Sequence, residues 1–356
     1  MSSPAVPVTV VSALSRTSRE QLVDAALREH RHVLAVVYDV EPGGADVRVV
    51  RRMVDYRGLQ HQEVVELAGC CLACTVRADV GPALELGLAS GRWREVVLAL
   101  PAAVTARSIA TAVGERDDAY VDTLTTVVDG CLLQPDLSGD VLLAEGGLAA
   151  APADRRSTAQ LLAEQVEDAD VLAVTGLHRM ATEDARRAQA LLSHLAPLAL
   201  QVLLAEDLTG AGSVIGTGRF DGSCRPVDRE RLTALASGLC PPSCGVTTVV
   251  WQADAALHPG RLSAALPSLL GPVLRSRGWI TLAGRDGQRV RWESAGGGLS
   301  FGDPVADPTA TGCHLVLTGT DVAEAELVSS LDACLAEPGE SCEDDPFAGA
   351  LAAGPR

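Results

Sequence analysis

Short apolar runs alternate with segments of helical periodicity through the first half of the chain. Val6–Ser12, Val33–Tyr38, Val96–Leu100, Leu124–Val128, Val171–Thr175 and Val202–Ala205 are β-rich apolar runs, the pattern of strands covered on both faces. Amphipathic segments lie between several of them, at Glu20–Glu29, Thr158–Glu167 and Glu183–Leu195. Buried strands separated by such helices predict a parallel, doubly wound α/β sheet. Gly- and Pro-rich sequence from Thr209 to Gly245 breaks the rhythm and predicts a linker. Beyond it strands are expected at Val246–Trp251, Val273–Ala283, Arg289–Ser294 and His314–Thr318, and helices at Pro259–Leu270 and about Val322–Leu335. Asp286-Gly287 is a hairpin turn signal between two of those strands. The second half is therefore a small α+β domain with a largely antiparallel sheet. The expected organisation is a sheet domain over residues 1–212, a linker over 213–245, a second domain over 246–340 and an acidic, solvated tail over 341–356.

Composition narrows the function. The chain has 356 residues, 47% of them apolar, which is enough for two separate cores. Its formal charge of −17 repels phosphate backbones and anionic lipid, so direct nucleic-acid or membrane binding is not expected. Aromatic residues, at 3%, are too few for a base-stacking platform. No apolar run approaches the roughly 18 residues of a membrane span. The stretch Ala5–Leu14 has no basic residue before it and reads as a strand rather than a signal peptide. The ten cysteines are then expected as thiols in the cytoplasm, available for metal. Every basic side chain is Arg or His: the sequence contains no Lys, and no Asn either. A GC-rich genome accounts for that bias at the surface. Mechanisms that require a Lys, from P-loop phosphate binding to Schiff bases, are excluded.

Four stretches in the second half carry a family likeness. His258-Pro259-Gly260-Arg261-Leu262, Val273 to Trp279 (VLRSRGW), Leu331-Asp332-Ala333-Cys334-Leu335 and Asp345-Pro346-Phe347 resemble the CobW C-terminal domain, in the family's order and at similar spacing. Most of these residues, His258 included, read as packing and turn residues of that domain. The first half resembles the GTPase domain of the same metal-handling family as an eroded copy. The resemblance therefore implies a degenerate P-loop NTPase-like domain followed by a CobW C-terminal domain.

Where the family has its Gly-rich loop, Lys and Thr, this chain reads Ser12-Ala13-Leu14-Ser15-Arg16-Thr17-Ser18-Arg19-Glu20. A P-loop needs glycines so that backbone N–H groups can curl around phosphate, a Lys for the β/γ charge and a hydroxyl for Mg²⁺. Thr17 to Glu20 fits a capping box instead, with Thr17 and Glu20 taking up the helix's free donors. Ala99-Leu100-Pro101-Ala102-Ala103 replaces the family's acidic strand end, and Thr175-Gly176-Leu177-His178 stands in place of the guanine-reading Asn-Lys-x-Asp. Asp129 survives, although a strand-end turn residue would account for it equally. The implied protein is a pseudo-GTPase with no nucleotide.

The family's Cys-x-Cys-Cys-Thr-x-Arg metal motif is present in altered form, as Cys70-Cys71-Leu72-Ala73-Cys74-Thr75-Val76-Arg77. Cys71 and Cys74 have the spacing of a zinc half-site, and Cys70 could supply a third thiolate. His61, Glu66 and Cys131 are alternatives for the fourth ligand. Two other readings stand beside the metal site: small buried hydrophobes beside a strand, and a thiol–disulfide pair of the C-x-x-C type. Cys240 and Cys244, in the linker, read as incidental to a Pro-stiffened turn. The expectation is a non-catalytic, zinc-binding or zinc-responsive protein of metal homeostasis, with zinc on Cys70, Cys71 and Cys74. The family resemblance extends to a protein partner, ribosome-associated in the zinc-starvation remodelling or hibernation response. A GTP-dependent metallochaperone with an atypical phosphate loop, and a structural adaptor without metal, are the alternatives.

Overall fold

The computed structural model describes residues 5–43, 46–66, 71–149, 154–222, 244–285, 287–306, 312–337, 340, 342 and 345–352. The chain divides into two compact units, Met1–Gln134 with Val141–Ala185 and Leu198–Ser223, and Pro135–Asp140 with Arg186–Pro197 and Cys224–Arg356. Among the described residues no helix is long and apolar enough to cross a membrane.

In the first unit the apolar runs become strands covered on both faces. The strands are β1 (Val6–Ala13), β2 (Val33–Gly43), β3 (Asp46–Asp55), β4 (Gly58–Val65), β5 (Glu95–Ala99), β6 (Ala119–Asp129), β7 (Val171–Thr175) and β8 (Leu200–Leu203). The helices are α1 (Arg16–Glu29), α2 (Leu72–Leu88), α3 (Ala106–Gly114) and α5 (Thr158–Asp168), while α4 (Gly130–Ser138) and α6 (Thr182–Leu195) begin in this unit and end among residues counted with the second; α5 and α6 lie in the segments with amphipathic spacing. The sheet order is β4-β3-β2-β5-β1-β6-β7-β8. Alternation along β1 sends Val8 and Val10 into one core with Val80 and Leu84 of α2 and Ile109 of α3. Val11 enters the opposite core, with Leu22, Val23 and Ala26 of α1.

The sheet is largely the parallel one expected, with an antiparallel addition at one edge. From β2 to β8 its neighbours run parallel, but β2, β3 and β4 form an antiparallel meander at one edge. The meander was not legible because β3 carries Arg51 and Arg52 inside its apolar run, and β4 (GLQHQEVV) is almost wholly exposed. The first unit also extends past residue 212. Val214 and Ile215 are buried against α1, and Gly218 N donates to Asp122 at 2.9 Å. Two apolar residues inside a Gly-rich stretch suffice to hold that part of the expected linker in the core.

The second unit forms a six-stranded antiparallel sheet from β9 (Val246–Ala253), β10 (Val273–Ile280), β11 (Gln288–Ala295), β12 (Gly298–Phe301), β13 (Val305–Ala306) and β14 (Cys313–Thr320), in the order β12-β11-β10-β14-β9 with β13 beside β11. Helices α7 (Pro259–Leu270) and α8 (Glu324–Asp332) contribute Leu262, Leu269, Leu327 and Leu331 to a core around Trp251 and Trp292. A short last helix, α9, spans Ala348–Ala352. The four family-like stretches meet here. His258 caps α7, its Nδ1 accepting from Gly260 N (3.1 Å) and Arg261 N (3.3 Å), while its own N–H donates to Cys334 O. Trp251 Nε1 donates to Asp332 at 2.8 Å, and Trp292 Nε1 to Ser276 at 2.7 Å. His258 is thus a structural cap, as its sequence context suggested. Of the turn signal Asp286-Gly287, residue 286 lies outside the described residues, and Gly287 takes φ +70°.

Glu340, at the end of the expected second domain, is held by Arg261, and its carboxyl pKa is lowered to about 2, chiefly by that hydrogen bond. The tail expected to be solvated over 341–356 is corrected in part. Asp345 pairs with Arg285, and Phe347 packs edge-on against Phe301 with Leu351 buried nearby. The apolar residues that follow the acidic run return the chain to the core.

Candidate functional site

Helix α1 begins almost where β1 ends: only Leu14 and Ser15 separate them. Ser15 is the N-cap, its hydroxyl accepting from Ser18 N at 3.2 Å. No capping box forms at Thr17: the cap lies two residues earlier, because β1 runs on through Ala13 and the helix is already formed at Thr17, and Glu20 pairs with Arg16 and Arg52 instead. Ser15→Ala is expected to lower stability by about 1 kcal/mol and Thr17→Ala to have little effect, as read from thermal melts followed by circular dichroism.

Arg19, one turn into α1, points inward and is 2% exposed. It donates to the carbonyls of Tyr38 (3.1 Å) and Leu100 and pairs with Asp39. Asp39 is held in turn by Arg52 (2.9 Å from Nε), and Arg16 Nε lies 3.3 Å from it. Burial pulls the pKa of Arg19 below its ordinary value, and the charge and hydrogen bond of Asp39 oppose that. The guanidinium thus occupies the gap between β2 and β5 just past their last paired residues, Val37 and Ala99. The cavity left beside it, lined in part by Leu14, Arg16, Pro101 and Leu148, is about 120 Å³, whereas small-molecule sites run from roughly 300 Å³ upward.

A larger cleft of about 360 Å³ opens at the ends of β6, β7 and β8. Its charged lining includes four carboxylates, Asp24, Asp129, Glu206 and Asp207, against Arg28 and Arg179. Asp129 accepts from Arg179 at 2.8 Å and from Cys131 N at 3.0 Å, so it serves as a turn residue. Asp207 takes hydrogen bonds from Thr209 N and Oγ1, which hold its carboxyl below the usual range. Gly176 opens the turn after β7 at φ +77°, where a Cβ would stand 2.4 Å from Asp129 Oδ1.

Of the three cysteines expected to bind metal, Cys70 lies outside the described residues. Cys71 and Cys74 are joined as a disulfide with their Cα atoms 5.2 Å apart. Cys71 is the N-cap of α2, and its Sγ accepts from Cys74 N at 3.1 Å. Thr75 fixes the turn from below, with N and Oγ1 both donating to Cys71 O. Among the described residues no group of three His, Cys, Asp or Glu side chains converges to hold a metal. These residues contribute two sulfurs to such a site, and as thiolates only once the bond is reduced. Of the suggested fourth ligands, His61 lies on β4 with Nε2 3.5 Å from Glu63, and Cys131 donates to Gly176 O at the β6–β7 end.

An ionic cluster under α2 had no signal in the sequence beyond charges inside an apolar strand. Asp79 of α2 accepts from both Tyr38 OH (2.9 Å) and Arg51 Nη1 (2.6 Å), and Arg51 also pairs with Glu63 of β4. Burial, with Asp79 beside it, pushes the Tyr38 phenol well above its ordinary pKa. The cluster ties the helix that begins at Cys71 to β2, β3 and β4.

Residues 246–335 match the family of the cobalamin synthesis protein CobW C-terminal domain. A Mycobacterium tuberculosis protein described as a zinc chaperone is 30% identical over 277 residues, 71% of this chain; the chain spans 64% of the length of that relative. A zinc-regulated GTPase metalloprotein activator of Dictyostelium discoideum is 22% identical over 313 residues, covering 82% of this chain and 66% of that protein. The crystal structure of a zinc-bound YjiA GTPase from E. coli is similar over 94% of this chain and 100% of that chain, with 12% identity and a TM-score of 0.42. With its C-terminal motifs packed into one core, the chain carries a CobW C-terminal domain over residues 246–335.

Proposed function

We propose that this protein handles zinc as cargo and does so without a nucleotide. The observation that carries the second half is the β1–α1 connection, two residues long, capped by Ser15 and backed by the buried Arg19. Similarity to a mycobacterial zinc chaperone and to a Dictyostelium zinc-regulated GTPase metalloprotein activator supports zinc as the metal. Reduced Cys71 and Cys74 supply sulfur ligands from the first turn of α2, and Cys70 adds a third. Thiolate sulfur suits a borderline ion such as zinc, and uptake releases protons, so affinity falls as pH falls. In this reading the metal passes to or from a protein partner, and ribosome-associated proteins that exchange during zinc starvation are the first class to seek.

The test uses full-length protein reduced and kept from air, titrated with zinc against a chromophoric chelator, with and without GTP and Mg²⁺. About one zinc per chain is expected by coordination chemistry, unchanged by GTP. Cys71→Ser and Cys74→Ser are expected to lose it, while Cys334→Ser, whose thiol donates to Ser330 O in the second core, retains it. No zinc on the reduced chain would overturn the cargo. Zinc affinity that moves with GTP would restore the GTP-dependent metallochaperone.

A further inference from the structure

The zinc reading treats Cys71 and Cys74 as thiolates, yet the structure joins them to each other. Their positions explain why the two sulfurs meet. Cys71 is the N-cap and Cys74 the third helical residue, the two positions whose side chains face each other in a capping box. The Cα separation of 5.2 Å lies inside the range that a disulfide spans. In the bonded state the hydrogen bond from Cys74 N to Cys71 Sγ holds the cap. The helix itself is anchored two turns further on by Asp79, through Arg51 and Tyr38. Opening or closing the bond therefore leaves α2 where it is and changes only what the two sulfurs can do. Cys74 is exposed and Cys71 half-buried, so an oxidant or reductant in solution meets Cys74 first.

The geometry points to a redox-active dithiol at Cys71 and Cys74 that exchanges with small-molecule disulfides, such as glutathione disulfide, and so controls whether zinc is held. The control of zinc rests on the cargo reading above; the exchange itself does not. In the oxidising direction the Cys74 thiolate attacks one sulfur of the small disulfide and expels its first thiolate. The Cys71 thiolate then attacks the Cys74 sulfur of the mixed disulfide and expels the second. Two electrons pass from the protein sulfurs to the small disulfide, which leaves as two thiolates that take up protons from water. Both protein sulfurs are then bonded to each other, and neither is available to zinc. A small dithiol reverses the sequence.

The experiment starts from the reduced full-length chain, with and without one equivalent of zinc, and adds glutathione disulfide. Two thiols per chain are expected to disappear, and peptide mass spectrometry is expected to place the new bond between residues 71 and 74. Bound zinc is expected to appear in solution in step with them, and dithiothreitol to reverse both changes. Far-ultraviolet circular dichroism should stay constant throughout. Cys71→Ser should trap one glutathionyl group on Cys74, which separates exchange at this site from oxidation elsewhere. A thiol count that glutathione disulfide leaves unchanged, or a bond formed between other cysteines, overturns the redox pair even if zinc binds. Zinc that stays bound after the 71–74 bond has formed overturns the control. Reversible loss of the two thiols in a chain that never takes zinc supports the redox pair and overturns the cargo reading alone.

Discussion

Purified protein is expected to bind neither GTP nor ATP with a Kd below about 100 μM, roughly −5.5 kcal/mol. Phosphate binding at a helix N-terminus depends on free backbone N–H groups that curl around the anion, and a Gly-rich loop is what lets them curl. Here two residues join β1 to α1, and the Ser15 hydroxyl already occupies the Ser18 N–H. The positive charge nearby does not substitute for the missing Lys. Arg19 is turned inward onto Asp39 and two carbonyls, and Arg52 is likewise engaged by Asp39 and Glu20. The cleft at the ends of β6 to β8 is lined by twice as many carboxylates as guanidinium groups, which opposes a polyanion. Isothermal titration with GTP and Mg²⁺ checks this directly. Arg19→Ala serves as a second arm: it empties the gap between β2 and β5 without supplying an N–H cradle, so it should not create binding. A Kd tighter than about 100 μM for the parent would return the chain to the nucleotide-dependent class.

Gly278→Ala is expected to be the most damaging small substitution in the second unit. Gly278 sits in β10 at φ +148°, and a Cβ there would stand 2.0 Å from the carbonyl oxygen of His314 in the paired strand β14. Neither atom is a side-chain end that can swing away. Backbone strain and overpacking each cost about 1–3 kcal/mol, so the combined loss is on the order of 3–5 kcal/mol. For a unit of this size that corresponds to a melting temperature lower by roughly 10 °C. Trp251, Trp279 and Trp292 lie in the second unit and only Trp93 in the first, so intrinsic fluorescence follows the relevant transition. A melt within about 1 °C of the parent would mean that β10 and β14 are not paired as described.

The C-terminal likeness was carried by sequence because its residues act locally and in order. His258 caps the helix it precedes, Gly278 permits a close strand approach, and Phe347 ends the acidic run by entering the core. The parallel strands were legible for the same reason. A strand buried on both faces needs an unbroken apolar run, and β1, β5 and β7 have one. The antiparallel edge was not, since Arg51 is buried only through partners that come from elsewhere, Asp79 on α2 and Glu63 on β4. No window of sequence around residue 51 contains both partners. The cap at Ser15 was missed by two residues because Glu20 gave Thr17 the spacing of a capping box; the length of β1 set the helix start earlier.

Sequence alone determined the absence of Lys, the absence of glycine from residues 12–20 and the juxtaposition of three cysteines within five residues, because each is a property of residue identity and spacing. Only the tertiary structure decided where the remaining charges went. A buried guanidinium requires acceptors, and the chain supplies them to Arg19 from β2 and from just past β5, about 20 and 81 residues away. It likewise decided the state of Cys71 and Cys74. Their spacing suits both a metal and a bond, and the N-cap geometry of α2 brought the two sulfurs together.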